Sequence, residues 1–135
     1  MSQPVFITGV SMTALGKRPA DTVKSLTAEA VREIAHGLMA LGFAARETAS
    51  ILSNTTVEWV LADLAVLSAG GVSNGIYPTD AAEQVQFLCE DSGTTVLFVE
   101  DDEQLDKVLE VRQHLPRLKK IVVFDMEGLH ELNDP

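Results

Sequence analysis

The sequence predicts an open α/β layer structure: a mostly parallel sheet with helices on both faces. Three observations carry this. Short runs of Val, Ile, Leu and Phe alternate with longer segments of helical period. The units recur at roughly 23-residue intervals, the spacing of strand–helix–strand crossovers in a parallel sheet. The strand cores are continuous apolar runs with little alternation, as expected where both faces are covered.

The first strand is "VFITGV", Val5 to Val10, ending in a turn-like stretch closed by Gly16, Lys17, Arg18 and Pro19. Asp21 is placed to cap a helix whose apolar stripe is Val23, Leu26, Ala30, Ile34, Leu38 and Leu41, with Gly42 as its stop. "ASILSN", Ala49 to Asn54, is the second strand, and Thr55 with Glu58 has the form of a capping box opening the next helix. "GVSNGIY" is the third strand, ended by Pro78, and Asp80 with Glu83 forms a second box. "TTVLFVE" is the fourth, followed by a third box, Asp101 with Gln104, and a helix running toward Leu115. "KKIVVFD" is the fifth strand, and the tail from Met126 to Pro135 reads as irregular.

One helix stands apart. From Trp59 to Ala69 only Asp63 and Ser68 interrupt the apolar residues, so most of its circumference is apolar. A helix on one sheet face needs only a stripe, and one apolar nearly all round needs cover on a second side. The expectation is an exposed apolar patch that drives self-association or docks a protein partner.

Bulk properties narrow the function classes. The chain has 135 residues, one domain's worth, with 46% hydrophobic and 22% charged residues, the balance of an ordinary globular protein. A formal net charge of −10 argues against nucleic acid and against anionic lipid. Cys89 is the single cysteine, which excludes an intrachain disulfide and points to a reducing cytoplasm. No run approaches the ~18 apolar residues of a transmembrane segment, and the N-terminus is a poor secretory signal.

The candidates for chemistry are few. His36, His114 and His130 lie in three separate segments, none paired with a carboxylate at metal-ligand spacing. Cys89 reads as a buried structural thiol whose acidic neighbours Glu90 and Asp91 raise its pKa. The "EDDE" run, Glu100 to Glu103, follows a strand, where parallel sheets hold ligands, so an acidic metal pocket is conceivable. Asp101 is nevertheless better used as a helix cap. No GxxxxGK[ST] phosphate loop occurs, and "TGVSMTALG", Thr8 to Gly16, lacks GxGxxG spacing. "SNTT", Ser53 to Thr56, explains itself as turn and cap.

From Val31 to Pro135 the sequence resembles the N-terminal subdomain of AMP-forming acyl-CoA synthetases, the AMP-dependent synthetase/ligase family, particularly the bacterial long-chain fatty acid type. The carrying residues are "VREIAHGLMALGF", "ILSNTTVEWVLADLAVLSAGGVSNGIYPTDAAEQVQFLCEDSGTTVLFVEDDEQLDKV" and "HLPRLKKIVVFD". One departure is "GFAARETASILSN", where the family has a Gly-Asp-Arg-Val type approach that Arg46 and Glu47 reproduce only loosely, so the turn before Ala49 is expected to differ. The resemblance implies a flavodoxin-like fold and a parent activity that turns a fatty acid into acyl-adenylate and then acyl-CoA, with ATP, Mg²⁺ and CoA. The family's Ser/Thr/Gly-rich loop ending in Lys has no counterpart here, so no catalytic, cofactor-binding or metal-binding residue is assigned.

Residues 1–30 resemble the N-terminus of thiolases of the sterol-carrier type, on the stretch "VFITGVSMTALGKRPADTVKSLTAEAV", Val5 to Val31, with Ser11 where that family has Gly. The two resemblances meet near "AEAVREIA", within one apolar stripe. The leading expectation is a truncated, catalytically incomplete, long-chain fatty acid–CoA ligase-like chain with no cofactor of its own. The rivals are a non-enzymatic α/β interaction module, a thiolase-related acyl-CoA protein, and a small receiver-like enzyme, which lacks the paired acids it needs after the first strand.

Overall fold

The computed structural model describes residues 5–7, 22–127 and 129, and of 5–7 the backbone alone. Five parallel strands, β1 (Val5–Ile7), β2 (Thr48–Leu52), β3 (Val72–Ile76), β4 (Thr94–Val99) and β5 (Lys120–Val123), form one sheet in the order β1-β5-β4-β2-β3. Four helices connect them: α1 (Val23–Ala40), α2 (Val57–Ser68), α3 (Ala82–Ser92) and α4 (Asp102–Val111), the last continued by a 3-10 turn over Arg112–His114. Read from β3, the order is the flavodoxin-like one, with the N-terminal strand on the far edge.

Side chains alternate across the sheet and sort into two cores. Ala49 and Ile51 of β2 and Val96 and Phe98 of β4 face α1 and α2, joined by Ala35, Leu38, Ala62, Ala65 and Val66. Leu52, Leu97, Val99 and Ile121 face α3 and α4, joined by Val85, Cys89, Leu105 and Val108. Each face is therefore covered by a helix pair, which is why β4 and β5 carry the apolar runs Val96–Val99 and Ile121–Val123.

The caps of α2 and α3 fall one residue beyond the anticipated ones. Thr22 caps α1, trading bonds reciprocally with Ser25; the anticipated cap, Asp21, lies outside the described residues. The cap of α2 is Thr56, whose hydroxyl accepts from Trp59 N–H at 3.3 Å, so the Thr55–Glu58 box does not form. Glu58 instead sits in the first turn, where its charge complements the helix dipole. Asp80 closes the turn that Tyr77 opens, its N–H donating to the Tyr77 carbonyl, which moves the start of α3 to Ala81 and replaces the Asp80–Glu83 box. The Ala81 N–H is met by Gln84 Oε1 at 3.2 Å. Asp101 caps α4 as expected, accepting from Gln104 N–H at 3.0 Å, while the Gln104 side chain turns away to Lys107.

The stripe of α1 is covered at its C-terminal end, where Leu38 is buried, and open at its start, where Val23 is 83% exposed. The helix runs unbroken through residues 30 and 31. It stops where expected, Gly42 taking a φ of 90°. In the turn before β2, Arg46 has a φ of 72°, the one positive value on a non-glycine among the described residues, and its N–H donates to the Gly70 carbonyl. Gly71 is needed for closeness: a Cβ there would lie 2.5 Å from the Phe43 ring. Of the first strand, residues 8–10 lie outside the described residues, as do the turn at 11–19 and most of the tail.

Glu47 ties the amino-terminal edge together, accepting from Lys119 Nζ at 2.6 Å and from Ala44 N–H at 2.9 Å. The Lys119 bond first, and the Ala44 bond second, hold its carboxyl below the ordinary glutamate value. A depressed carboxylate stabilises fully above its unfolded pKa and loses that contribution as pH falls through the folded one. Glu47→Gln is expected to lower stability at neutral pH by about 0.5–1 kcal/mol, with the difference from wild type vanishing in acid; urea titrations across pH check this.

Candidate functional site

Doubly wound sheets hold ligands at the carboxyl ends of their strands, where the strand order reverses. Here β2 leads to β3 on one side, and the chain then crosses back to place β4 on the other. The reversal lies between β2 and β4, which makes Ser53, Asn54 and Glu100 the residues at the switch point.

That crevice is filled by the chain itself. Glu100 Oε2 accepts from Asn54 N–H at 2.7 Å and from Asn54 Nδ2 at 2.9 Å, and Ser53 Oγ lies 3.3 Å away. The Ser53 hydroxyl also lies 2.7 Å from the Asn54 carbonyl, and its single proton serves one acceptor at a time. The Glu100 backbone is locked as well, its N–H donating to the Leu52 carbonyl and its carbonyl accepting from Asp125 N–H.

Two depressions flank this link. One, between β2 and β3, is lined by Ser53, Thr55, Trp59, Gly75, Ile76 and Tyr77, with Tyr77 exposed. The other is lined by Thr56, Glu58, Glu100, Phe124 and Asp125. Neither has a lysine or arginine in its lining. Lys107, the cation on neighbouring α4, is committed to the Pro78 carbonyl at 2.6 Å and to Gln104. Among the described residues the two depressions carry Glu58 and Glu100 with Asp125 and no lysine or arginine, a charge balance that opposes a polyphosphate.

The other sequence candidates are dispersed. His36 and His114 are exposed on separate elements, and His130 lies outside the described residues, as does the Thr8 to Gly16 stretch. Among the described residues no group of three His, Cys, Asp or Glu is placed to hold a metal. In the "EDDE" run, Asp101 caps, Glu100 links the strands, and Asp102 and Glu103 occupy the first turn of α4. The pairing of Glu100 with Asn54 spans 46 residues and left no local trace in the sequence.

Cys89 is buried against the sheet as expected, but for a different electrostatic reason. Burial pushes its thiol to about 11, partly offset by hydrogen bonds with Thr94 and Ser50, rather than the acids Glu90 and Asp91 doing so. Beside it runs a polar seam: Asn74 Nδ2 donates to Ser50 Oγ at 3.0 Å, and Ser92 and Thr94 hydroxyls meet at 2.8 Å.

The apolar helix behaves as its composition requires. In α2, Ala62, Ala65 and Val66 pack inward while Val57, Val60, Leu64 and Leu67 stand exposed, spaced by three and four along one face. A shallow groove beside it runs from Ala28 to Met39 along α1 and reaches Ser68. No helix among the described residues is long and apolar enough to cross a membrane.

Fold and edge together define a parallel α/β/α unit of the flavodoxin-like order whose switch point is closed. The family described as AMP-binding enzyme matches residues 25–134, and the chain belongs to that family. Over 113 residues it is 34% identical to the long-chain-fatty-acid–CoA ligase FadD15 of Mycobacterium bovis, covering 84% of this chain and 19% of that protein. To the long-chain-fatty-acid–CoA ligase ACSBG2 of Xenopus laevis it is 34% identical over 99 residues, covering 73% and 13%. Among solved structures, the anthranilate CoA ligase AuaEII in complex with anthranoyl-AMP superposes with a TM-score of 0.70 at 24% identity, over 73% of this chain and 19% of that one. Acetoacetyl-CoA synthetase from Streptomyces lividans gives 0.64 at 27% identity, over 69% and 16%. The chain thus spans about a fifth or less of the length of these relatives. The thiolase-like reading of residues 1–30 is not borne out, and the family match opens at residue 25, inside that segment.

At pH 8 a thiol near 11 is about one part in a thousand thiolate, and burial adds a steric barrier. Native Cys89 is expected to react with Ellman's reagent at least about 100-fold more slowly than in the urea-unfolded chain. Equal rates would refute its burial.

Proposed function

We propose that these residues supply one α/β layer structure of a long-chain fatty acid–CoA ligase-like protein, and that they do not by themselves activate a carboxylate. The observation that carries this is the switch-point edge, where a nucleotide's phosphates belong in such a sheet: among the described residues it is acidic, its depressions have no lysine or arginine in their lining, and Glu100 occupies it. The family match and the ligase relatives support the parent chemistry, in which ATP, Mg²⁺ and CoA convert a fatty acid to acyl-adenylate and acyl-CoA. Cytoplasmic residence is part of the same reading, on the unpaired thiol of Cys89.

Two measurements test it. The purified 135-residue chain with ATP, Mg²⁺ and a long-chain fatty acid is expected to release no pyrophosphate; saturable acyl-adenylate formation overturns its incompleteness. Residues 25–134 grafted into a full-length ligase relative are expected to keep acyl-CoA formation within about tenfold, a cost near 1.4 kcal/mol. A folded but inactive chimera counts against the ligase reading.

The exposed face of α2 supports a second feature, self-association or a protein partner through Val60, Leu64 and Leu67. Leu64→Glu is expected to abolish concentration-dependent association and dye binding in size-exclusion and fluorescence measurements. A wild-type chain that stays a dye-negative monomer at high concentration removes this feature.

A further inference from the structure

Asn54 aims two donors, its backbone N–H and its side-chain amide, at a single point, and Ser53 Oγ stands beside them. At 2.7 and 2.9 Å these are charge-assisted bonds to one carboxylate oxygen. The donors come from the end of β2, whereas the carboxylate comes from the end of β4. Each side also has main-chain bonds apart from this contact: the Glu100 backbone is held by Leu52 of β2 and by Asp125, and the turn after β2 is closed by the Thr56 N–H on the Asn54 carbonyl at 2.8 Å. The depression lined by Thr56, Glu58, Phe124 and Asp125 opens directly onto the Glu100 side chain.

We propose that the crevice between β2 and β4 is a carboxylate-binding cradle whose resident ligand is the Glu100 side chain. The cradle accepts small carboxylates as a class, and the seated glutamate keeps external ones out. Because main-chain bonds hold both walls, removing the side chain leaves the donors in place and vacates a space for a carboxylate no larger than the one lost. Glu58 and Asp125 at the mouth oppose an incoming anion, which makes external binding weak and favours an occupant already tethered to the sheet. The proposal is independent of the ligase reading, since it concerns only these residues.

Glu100→Ala tests it, with sodium formate as the probe and sodium chloride at equal ionic strength as the control. The variant is expected to melt below wild type, and about 100 mM formate to recover at least half of that loss while chloride recovers none. In ¹H–¹⁵N spectra, formate is expected to shift the backbone and side-chain amides of Asn54 saturably in the variant and to leave them unmoved in wild type. Asn54 signals that ignore formate in the variant, or that move equally in wild type, overturn the proposal. If Glu100→Ala does not fold, the wild type alone decides: the Asn54 backbone N–H is expected to be protected from hydrogen exchange, and free exchange there overturns the cradle.

Discussion

Ile51 and Leu52 are neighbours in sequence, both wholly buried, and they point into different cores. That double burial is the constraint on which the fold rests. Burying each such side chain contributes about 1.5–3 kcal/mol, and β4 repeats the arrangement with Phe98 and Val99 beside them. A sheet buried on both faces must have helices on both faces, and parallel strands supply them through their crossovers. The central β2–β4 pair thereby dictates that α1 and α2 share one side while α3 and α4 share the other.

The same pair dictates where chemistry could reside. Reversal of strand order next to β2 opens a crevice at the carboxyl ends, and this chain closes it with Glu100. A carboxylate there accepts both donors of Asn54, in the turn before α2. It also gives the edge a sign opposite to the one a triphosphate requires.

A comparable tension marks α2. Its small residues Ala62 and Ala65 allow close approach to the sheet, and its larger Val60, Leu64 and Leu67 are turned outward. In an isolated two-faced sheet the larger side chains would be expected inside. Their outward placement gives α2 apolar residues on both sides, one packed on the sheet and one exposed.

The parallel α/β plan, the strands, the apolar excess of α2, the cap at Asp101 and the stop at Gly42 were legible in the sequence. Each depends on periodicity or on the conformational preference of one residue, which are local properties. The caps at Thr56 and Ala81 were misplaced by one residue because local turns shift them: the Thr56 N–H closes on the Asn54 carbonyl, and the turn from Tyr77 consumes Asp80. Likewise the raised thiol of Cys89 was anticipated, but its cause, burial against the sheet, outweighs the sequence neighbours that suggested it. The Glu100–Asn54 link and the Glu47–Lys119 pair were invisible, since both join residues brought together only by strand register. Local physics determined which elements form; the order of the strands alone decided which polar groups meet.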